Sequence, residues 1–173
     1  MYGLTQLGVI HTLIGLVAVV AALIAFVRDK GINPANTLGK VYIWTTVVTC
    51  LTGFGIFEHG GFGKPHVLGI VTLLTLGAAW WADQGRFGAR SVYVSTLCYS
   101  ITFFFHMIPA VTESTTRLPL GAPLLPGHEA PELKAITGVM FVIYVIGATL
   151  QVRRLKAQQN SRGATAPAAA LKT

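Results

Sequence analysis

The sequence predicts an all-α membrane protein with five transmembrane helices, and three observations carry that expectation. Of the 173 residues, 53% are hydrophobic and only 11% are charged. A soluble domain carries about 25% charged residues, so this chain has too few to cover a water-exposed globule. Mean hydropathy is +0.62. The charges that do occur fall between long uncharged stretches, not within them. High apolar content excludes a disordered chain, and two cysteines are too few for a disulfide scaffold.

Five segments free of Asp, Glu, Lys and Arg are candidates to cross a bilayer: 7–27, 41–57, 67–82, 91–112 and 135–151. A helix needs about 20 mostly apolar residues to span the hydrocarbon. The first and fourth segments meet that directly. The second and third are short and need uncharged or snorkelling flanks. Backbone groups in lipid must be satisfied within their own segment, and the alternation expected of barrel strands is missing, so each segment is read as a helix.

Lysine and arginine fix the expected orientation. Arg28, Lys30 and Lys40 follow the first span, Arg86 and Arg90 the third, and Arg153, Arg154, Lys156, Arg162 and Lys172 the fifth. Only Lys64, Arg117 and Lys134 fall on the opposite side. This places the N-terminus outside and the C-terminus inside. The net charge of +7 then reflects topology and gives no reason to expect nucleic-acid binding. The basic inner rim favours anionic lipid. The start of the chain lacks a basic n-region, and no small-residue cleavage motif closes the first span, so no cleaved signal peptide is expected. Cys50 and Cys98 fall inside spans and read as reduced thiols.

The first four spans read as two parallel hairpins forming a four-helix bundle. His11 opens one hairpin and His66 the other. Each hairpin turns through a basic, Asp-containing loop, Arg28-Asp29-Lys30-Gly31 or Asp83-Gln84-Gly85-Arg86, and returns through Lys40-Val41-Tyr42 or Arg90-Ser91-Val92-Tyr93. The return helices close near His59 and His106. The fifth span is expected to pack peripherally. Before it lies an outer loop, 113–134, carrying Pro119, Pro123, Pro126 and Pro131. Its apolar middle predicts a loop folded over the bundle or lying at the membrane interface. Pro131 suits a first helical turn. Residues 157–173 read as a flexible cytoplasmic tail.

Three helix faces stand out. Gly8, His11, Gly15, Ala18, Ala22 and Ala25 form a small-residue face on the first span, suited to close helix approach. Tyr42, Thr45, Thr49 and Thr52, with Thr46, Cys50 and Gly53 beside them, line the second. Ser95, Tyr99, Thr102 and His106, with Glu113 beyond, line the fourth. Interhelical hydrogen bonding accounts for such lines at about 0.6 kcal/mol per contact. A path for protons or quinone is the sharper alternative.

By the expected topology, His11, His59, His66, His106 and His128 all lie in the outer half, with Glu58, Glu113, Glu129 and Glu132. His11 and His106 sit within apolar helices, where an ionisable group is a functional-site candidate. Imidazole at such depth can ligate haem iron, bind a transition metal or exchange protons. His11 with His106 is the favoured axial pair for a b-type haem, and His66 with His59 the substitute. A metal ion would instead draw on His11, His59, His66, His106, Glu58 and Glu113. No tight metal-ligand spacing, phosphate-binding loop or nucleophile–base motif accompanies them.

His11-x-x-x-Gly15, followed by Leu38-Gly39-Lys40-Val41-Tyr42 and Thr52-Gly53, resembles a family of uncharacterised bacterial inner-membrane proteins over spans 1 to 3. That family often opens its second helix with a His-x-x-Gly-Arg-Val-Tyr-like run, and this chain has Thr37 and Leu38 in the region of the His. The resemblance implies a bacterial inner membrane and no activity. Histidines within helices also give a looser architectural analogy to b-type cytochrome bundles.

The sequence thus favours a small redox-type subunit passing electrons between quinone and a partner. An accessory or assembly subunit of a larger membrane complex, or a homo-oligomer, is the alternative. Proton or small-solute transport ranks third, because no paired Gly/Pro breaks mark a discontinuous helix.

Overall fold

The computed structural model describes residues 5–57 and 61–170, with side chains described to Ser161. Among these residues helix is the regular secondary structure present, without a strand. Five α-helices follow one another: α1 (Gln6–Asp29), α2 (Thr37–Gly53), α3 (Lys64–Asp83), α4 (Ser91–Arg117) and α5 (Pro131–Ala170). A single 3-10 turn, Gly88–Arg90, leads into α4.

Local chemistry sets the helix ends. The Thr5 hydroxyl accepts from the backbone N–H of Gly8 at 3.1 Å and caps α1. Lys30 ends that helix in the left-handed region, at φ 63°. Asn36 Oδ1 accepts from Gly39 N–H at 2.8 Å and caps α2. Gly39 admits no side chain: a Cβ there would stand 1.9 Å from the Asn33 carbonyl oxygen. The turn therefore closes directly onto the first turn of α2. Pro65 occupies the first turn of α3, and Pro131 opens α5, where a missing N–H has no cost.

Four helices, α1, α3, α4 and α5, are long and apolar enough to cross a membrane. The second expected span differs. With 17 residues, α2 has a length of about 26 Å at 1.5 Å per residue, short of a hydrocarbon core of about 30 Å. It ends at Gly53 because Phe54–Gly55 form a turn in place of another helical repeat. At the other end, α5 runs past its apolar stretch as far as Ala170. It therefore takes in much of the segment that composition marks as a tail. Leu155, Lys156, Ala157, Gln158 and Gln159 are all good helix formers, and no breaker stands among them.

Helix contacts join α1 to α2, α2 to α3, α3 to α4 and α4 to α1, while α5 packs along α4 and meets the end of α1 through the Arg154–Asp29 carbonyl bond. The small-residue face of α1 is the closest-packed surface: Ala18, Ala22 and Ala25 have no exposure. Ala79 and Ala82 do the same for α3. Without a hydrophobic driving force between helices in lipid, close approach of small residues supplies the dispersion contact that holds them. The large apolar side chains point outward instead. Leu13, Leu16, Leu74, Val142 and Ile146 are all more than half exposed, as expected where the solvent is hydrocarbon.

The loop after α4 folds back on that helix. Leu125 N–H donates to the Thr115 carbonyl at 3.0 Å, and Leu124 N–H to the Leu118 carbonyl at 3.1 Å. Lys64, at the start of α3, pairs with Glu129 at 2.8 Å. This neighbouring ammonium holds the exposed Glu129 carboxyl below its ordinary range.

Two outcomes follow from this packing. Ala22→Leu forces three extra carbon atoms into a filled helix contact and should destabilise the fold by about 1–3 kcal/mol, read as a lower unfolding midpoint in detergent. Lys64→Gln should move the Glu129 pKa back up toward the usual value of about 4.3, read by carboxyl NMR titration. The depressed native value means that the Lys64–Glu129 contribution is present above the unfolded pKa and is lost as pH falls through the native one.

Candidate functional site

The interior of the helix ring is polar along one line, and α2 is its centre. Tyr42, Thr46 and Thr102 are fully buried; Thr49, Ser95, Tyr99, Ser100 and His106 are nearly so. The serine and threonine face of α4 and the tyrosine and threonine face of α2 therefore both turn inward, as their spacing predicts.

Counting protons along the hydrogen bonds assigns donors and acceptors. Thr46 donates its hydroxyl proton to the Tyr42 carbonyl at 2.7 Å. Its oxygen, 3.0 Å from His106 Nε2, must then accept from that ring. Thr52 likewise donates to the Val48 and Thr49 carbonyls, at 2.9 and 3.0 Å. It therefore accepts from His11 Nδ1, 3.1 Å away. Thr102 donates to the Tyr99 carbonyl at 2.7 Å and accepts from the Tyr42 hydroxyl at 2.7 Å. At the far end, Asp83 accepts from both Ser95 and Tyr99.

These bonds form four runs: His106 to Thr46 to the Tyr42 carbonyl; His11 to Thr52 to the Val48 and Thr49 carbonyls; Tyr42 to Thr102 to the Tyr99 carbonyl; Tyr99 and Ser95 to Asp83. The first three end on a backbone carbonyl, which carries no proton to hand on. As arranged, the line satisfies polar groups in a nonpolar setting and does not form a continuous relay.

The two interior histidines meet α2 at different heights. Thr46 and Thr52 are six residues apart, about 9 Å along the helix axis. No hydrogen bond or ring contact joins the rings to each other. His11 fits beside Gly53, where a Cβ would come within 3.1 Å of its Cε1. With Nδ1 committed to Thr52, neutral His11 keeps an open lone pair on Nε2. A hydroxyl bonded to the opposite ring nitrogen is the arrangement that orients a metal-ligating imidazole. His106 differs, because its Nε2 is the nitrogen bonded to Thr46. Ligating iron through Nε2 would require that bond to break. Ligation through Nε2 is thus open at His11 and blocked at His106, whose remaining lone pair is on Nδ1. The edge of the His106 ring lies against Tyr42, with centroids 6.1 Å apart.

His66 stands apart, on α3. It is buried between Phe57 and Phe62, each with its ring centroid 5.0 Å from the imidazole. Its Nδ1 accepts from the backbone N–H of Gly63 at 3.1 Å, closing the first turn of α3. In the neutral ring the proton is then on Nε2, and that atom is buried without a hydrogen-bond partner among the described residues. It is a donor facing no acceptor, the reverse of what a metal ligand needs. Its proposed partner His59 lies outside the described residues, as does Glu58. Glu113 is occupied elsewhere: it pairs with Arg117 one turn on and lies 3.5 Å from His128 Nε2. Among the described residues no three His, Cys, Asp or Glu side chains come together as a metal-binding group. Cys50 and Cys98 are free thiols, in keeping with the reduced state expected of them.

Sequence reasoning missed Gln151. It is buried on α5, accepts from Ser100 at 2.8 Å, and donates to the Lys30 carbonyl at 3.0 Å. A lone glutamine within an apolar span was the available signal. It ties α4 and α5 to the turn that follows α1.

Comparison with protein-family models, with curated proteins and with solved structures returned no match.

Tyr42→Phe removes the Tyr42–Thr102 bond without changing ring volume. It should cost about 0.6 kcal/mol, and at most about 1.7, in detergent unfolding. A double-mutant cycle with Thr102→Val should recover most of that as coupling.

Proposed function

We propose that the chain is a multi-pass protein of a bacterial inner membrane that works as an accessory or assembly subunit of a larger membrane complex, through its helix surfaces and folded outer loop. The observation that supports this reading is the commitment of both interior imidazoles to threonines of α2. They act as hydrogen-bonding glue between helices, which is the commonest role of polar side chains in lipid. In the proposed topology the N-terminus is outside, α2 crosses with help from its flanking residues, and the cationic turns after α1 and α3 face inward. Ten of the thirteen Lys and Arg residues then lie on the inner side.

A second reading keeps the redox role, with b-type haem or a transition metal near the outer face and electrons passing between quinone and a partner. The open Nε2 of His11 favours it. His11 would be the first ligand. His106 could follow only after release of Thr46, and His66 only after its ring proton shifted. When bound, haem would supply one-electron chemistry; His11 would hold it and Thr52 would orient His11.

An absorbance spectrum of the purified protein, with and without dithionite, separates the two. The accessory reading expects no Soret band and no stoichiometric metal in the folded protein. It also expects His11→Ala with His106→Ala to reduce stability while the protein still co-purifies with its complex. A Soret band that shifts on reduction and disappears in His11→Ala would overturn it in favour of the redox reading.

A further inference from the structure

The helix ring is closed between α1 and α4, but α5 packs along α4 and touches α1 at its end, where Arg154 meets the Asp29 carbonyl. This leaves a cleft of about 550 Å³ between α1, α4 and α5. Leu23 and Phe26 of α1 form one wall, Phe103 and Met107 of α4 the floor, and Ile143 and Gly147 of α5 the other wall. Its volume falls in the range of small-molecule sites, about 300–1,000 Å³. Most lining groups are apolar; besides Tyr144, the polar ones are Lys30, Arg154, Ser100 and Gln151, which gather toward one end.

That end is cationic and incompletely satisfied. Lys30 Nζ donates one bond, to the Val27 carbonyl at 2.8 Å. Arg154 donates from Nη1 to the Asp29 carbonyl at 3.0 Å. An ammonium has three donors and a guanidinium five, so both keep N–H groups to offer. The acid nearby, Asp29, is already bound by Arg28 through two hydrogen bonds and by Asn36 through a third. Ser100 donates to the Gln151 carbonyl oxygen, and the Gln151 amide N–H donates to the Lys30 carbonyl, which fixes the turn carrying Lys30 against α5.

A long apolar trough that ends at two cations has the chemistry of one kind of membrane molecule. We propose that this cleft binds an anionic glycerophospholipid, with one acyl chain lying along Phe26, Phe103 and Gly147 and its phosphate held by Lys30 and Arg154. The lipid would fill the gap between α1 and α5 and so fix the fifth helix to the other four. This site rests on the membrane reading of the chain and is independent of whether the histidines hold a cofactor.

The test uses the full chain in nanodiscs containing equal amounts of phosphatidylglycerol and phosphatidylcholine, followed by transfer to mild detergent and native mass spectrometry. Wild type should retain one phosphatidylglycerol, preferred over phosphatidylcholine by roughly 30-fold, since each of the two cations contributes about 1 kcal/mol toward anionic lipid and about 1.4 kcal/mol is a factor of ten. Lys30→Asn with Arg154→Gln should bring the two lipids to parity. Gly147→Phe should abolish retention of either lipid with both cations intact. A Cβ at Gly147 meets nothing within 4 Å, so the new ring enters the cleft without displacing backbone. Phosphatidylglycerol should also raise the thermal midpoint of wild type more than phosphatidylcholine does, a readout that needs no variant. Equal retention of both lipids by wild type, a preference unchanged by removing the charges, retention unaffected by Gly147→Phe, or an isoprenoid quinone as the bound species would each overturn the proposal.

Discussion

In a nonpolar solvent a polar side chain has no water to turn to, and this constraint organises the whole molecule. Thr46 and Thr52 each satisfy it twice. Each gives its proton to a carbonyl of its own helix, then offers its oxygen to a ring from another. The first bond is local and would form in any helix. The second brings α1 and α4 to α2. A threonine can thus join two helices without leaving an unmatched donor, and α2 does this at two heights. Its interior face is consequently threonine-rich, while the leucines and valines of α1 and α5 point outward.

The same constraint explains why small residues and polar residues alternate as the means of contact. Where α1 presents Ala18, Ala22 and Ala25, no polar group is buried on that face, and backbone approach alone holds the contact. Where it presents His11, the neighbouring residue on α2 is Gly53, which leaves room for the ring, and Thr52, which binds it. On α5 the one interior polar side chain, Gln151, has both ends of its amide matched, to Ser100 and to the Lys30 carbonyl. Its amide is the polar anchor that complements the apolar packing of α5 on α4.

Much of this was legible in the sequence. Charge-free stretches gave the helices, because an unpaired charge in lipid is prohibitive. Spacing of three and four gave the inward faces of α1, α2 and α4, because every fourth residue returns to the same side. Proton direction was not legible. Nothing in the spacing of His11 and His106 tells which ring nitrogen each threonine takes, and that choice separates an open Nε2 from a closed one. The capping role of His66 was equally hidden, since Gly63 precedes it by three residues in a loop whose fold the apolar pattern does not reach. Partners such as Ser95 and Tyr99 for Asp83 depend on how the α3–α4 turn closes, which is set by its 3-10 turn and not by helical period.

The two ends of the polar line are chemically unlike. At the Asp83 end, the carboxylate receives two hydroxyl donors. At the histidine end, His11 keeps an unshared lone pair and His66 keeps an N–H between two phenylalanine rings that no described residue accepts. A buried donor without an acceptor is costly enough that it persists only where the surrounding packing imposes it. Here Gly63 imposes it, by taking Nδ1 to start α3. The helix start and the orphaned nitrogen are therefore one event: relieving the second by rotating the ring would undo the first. An acceptor brought to His66 from outside the described residues, whether a carbonyl of a partner or of a lipid ester, would be bound without that conflict. The histidine end thus carries an open lone pair and an unmatched ring donor, while the opposite end offers cationic donors at Lys30 and Arg154.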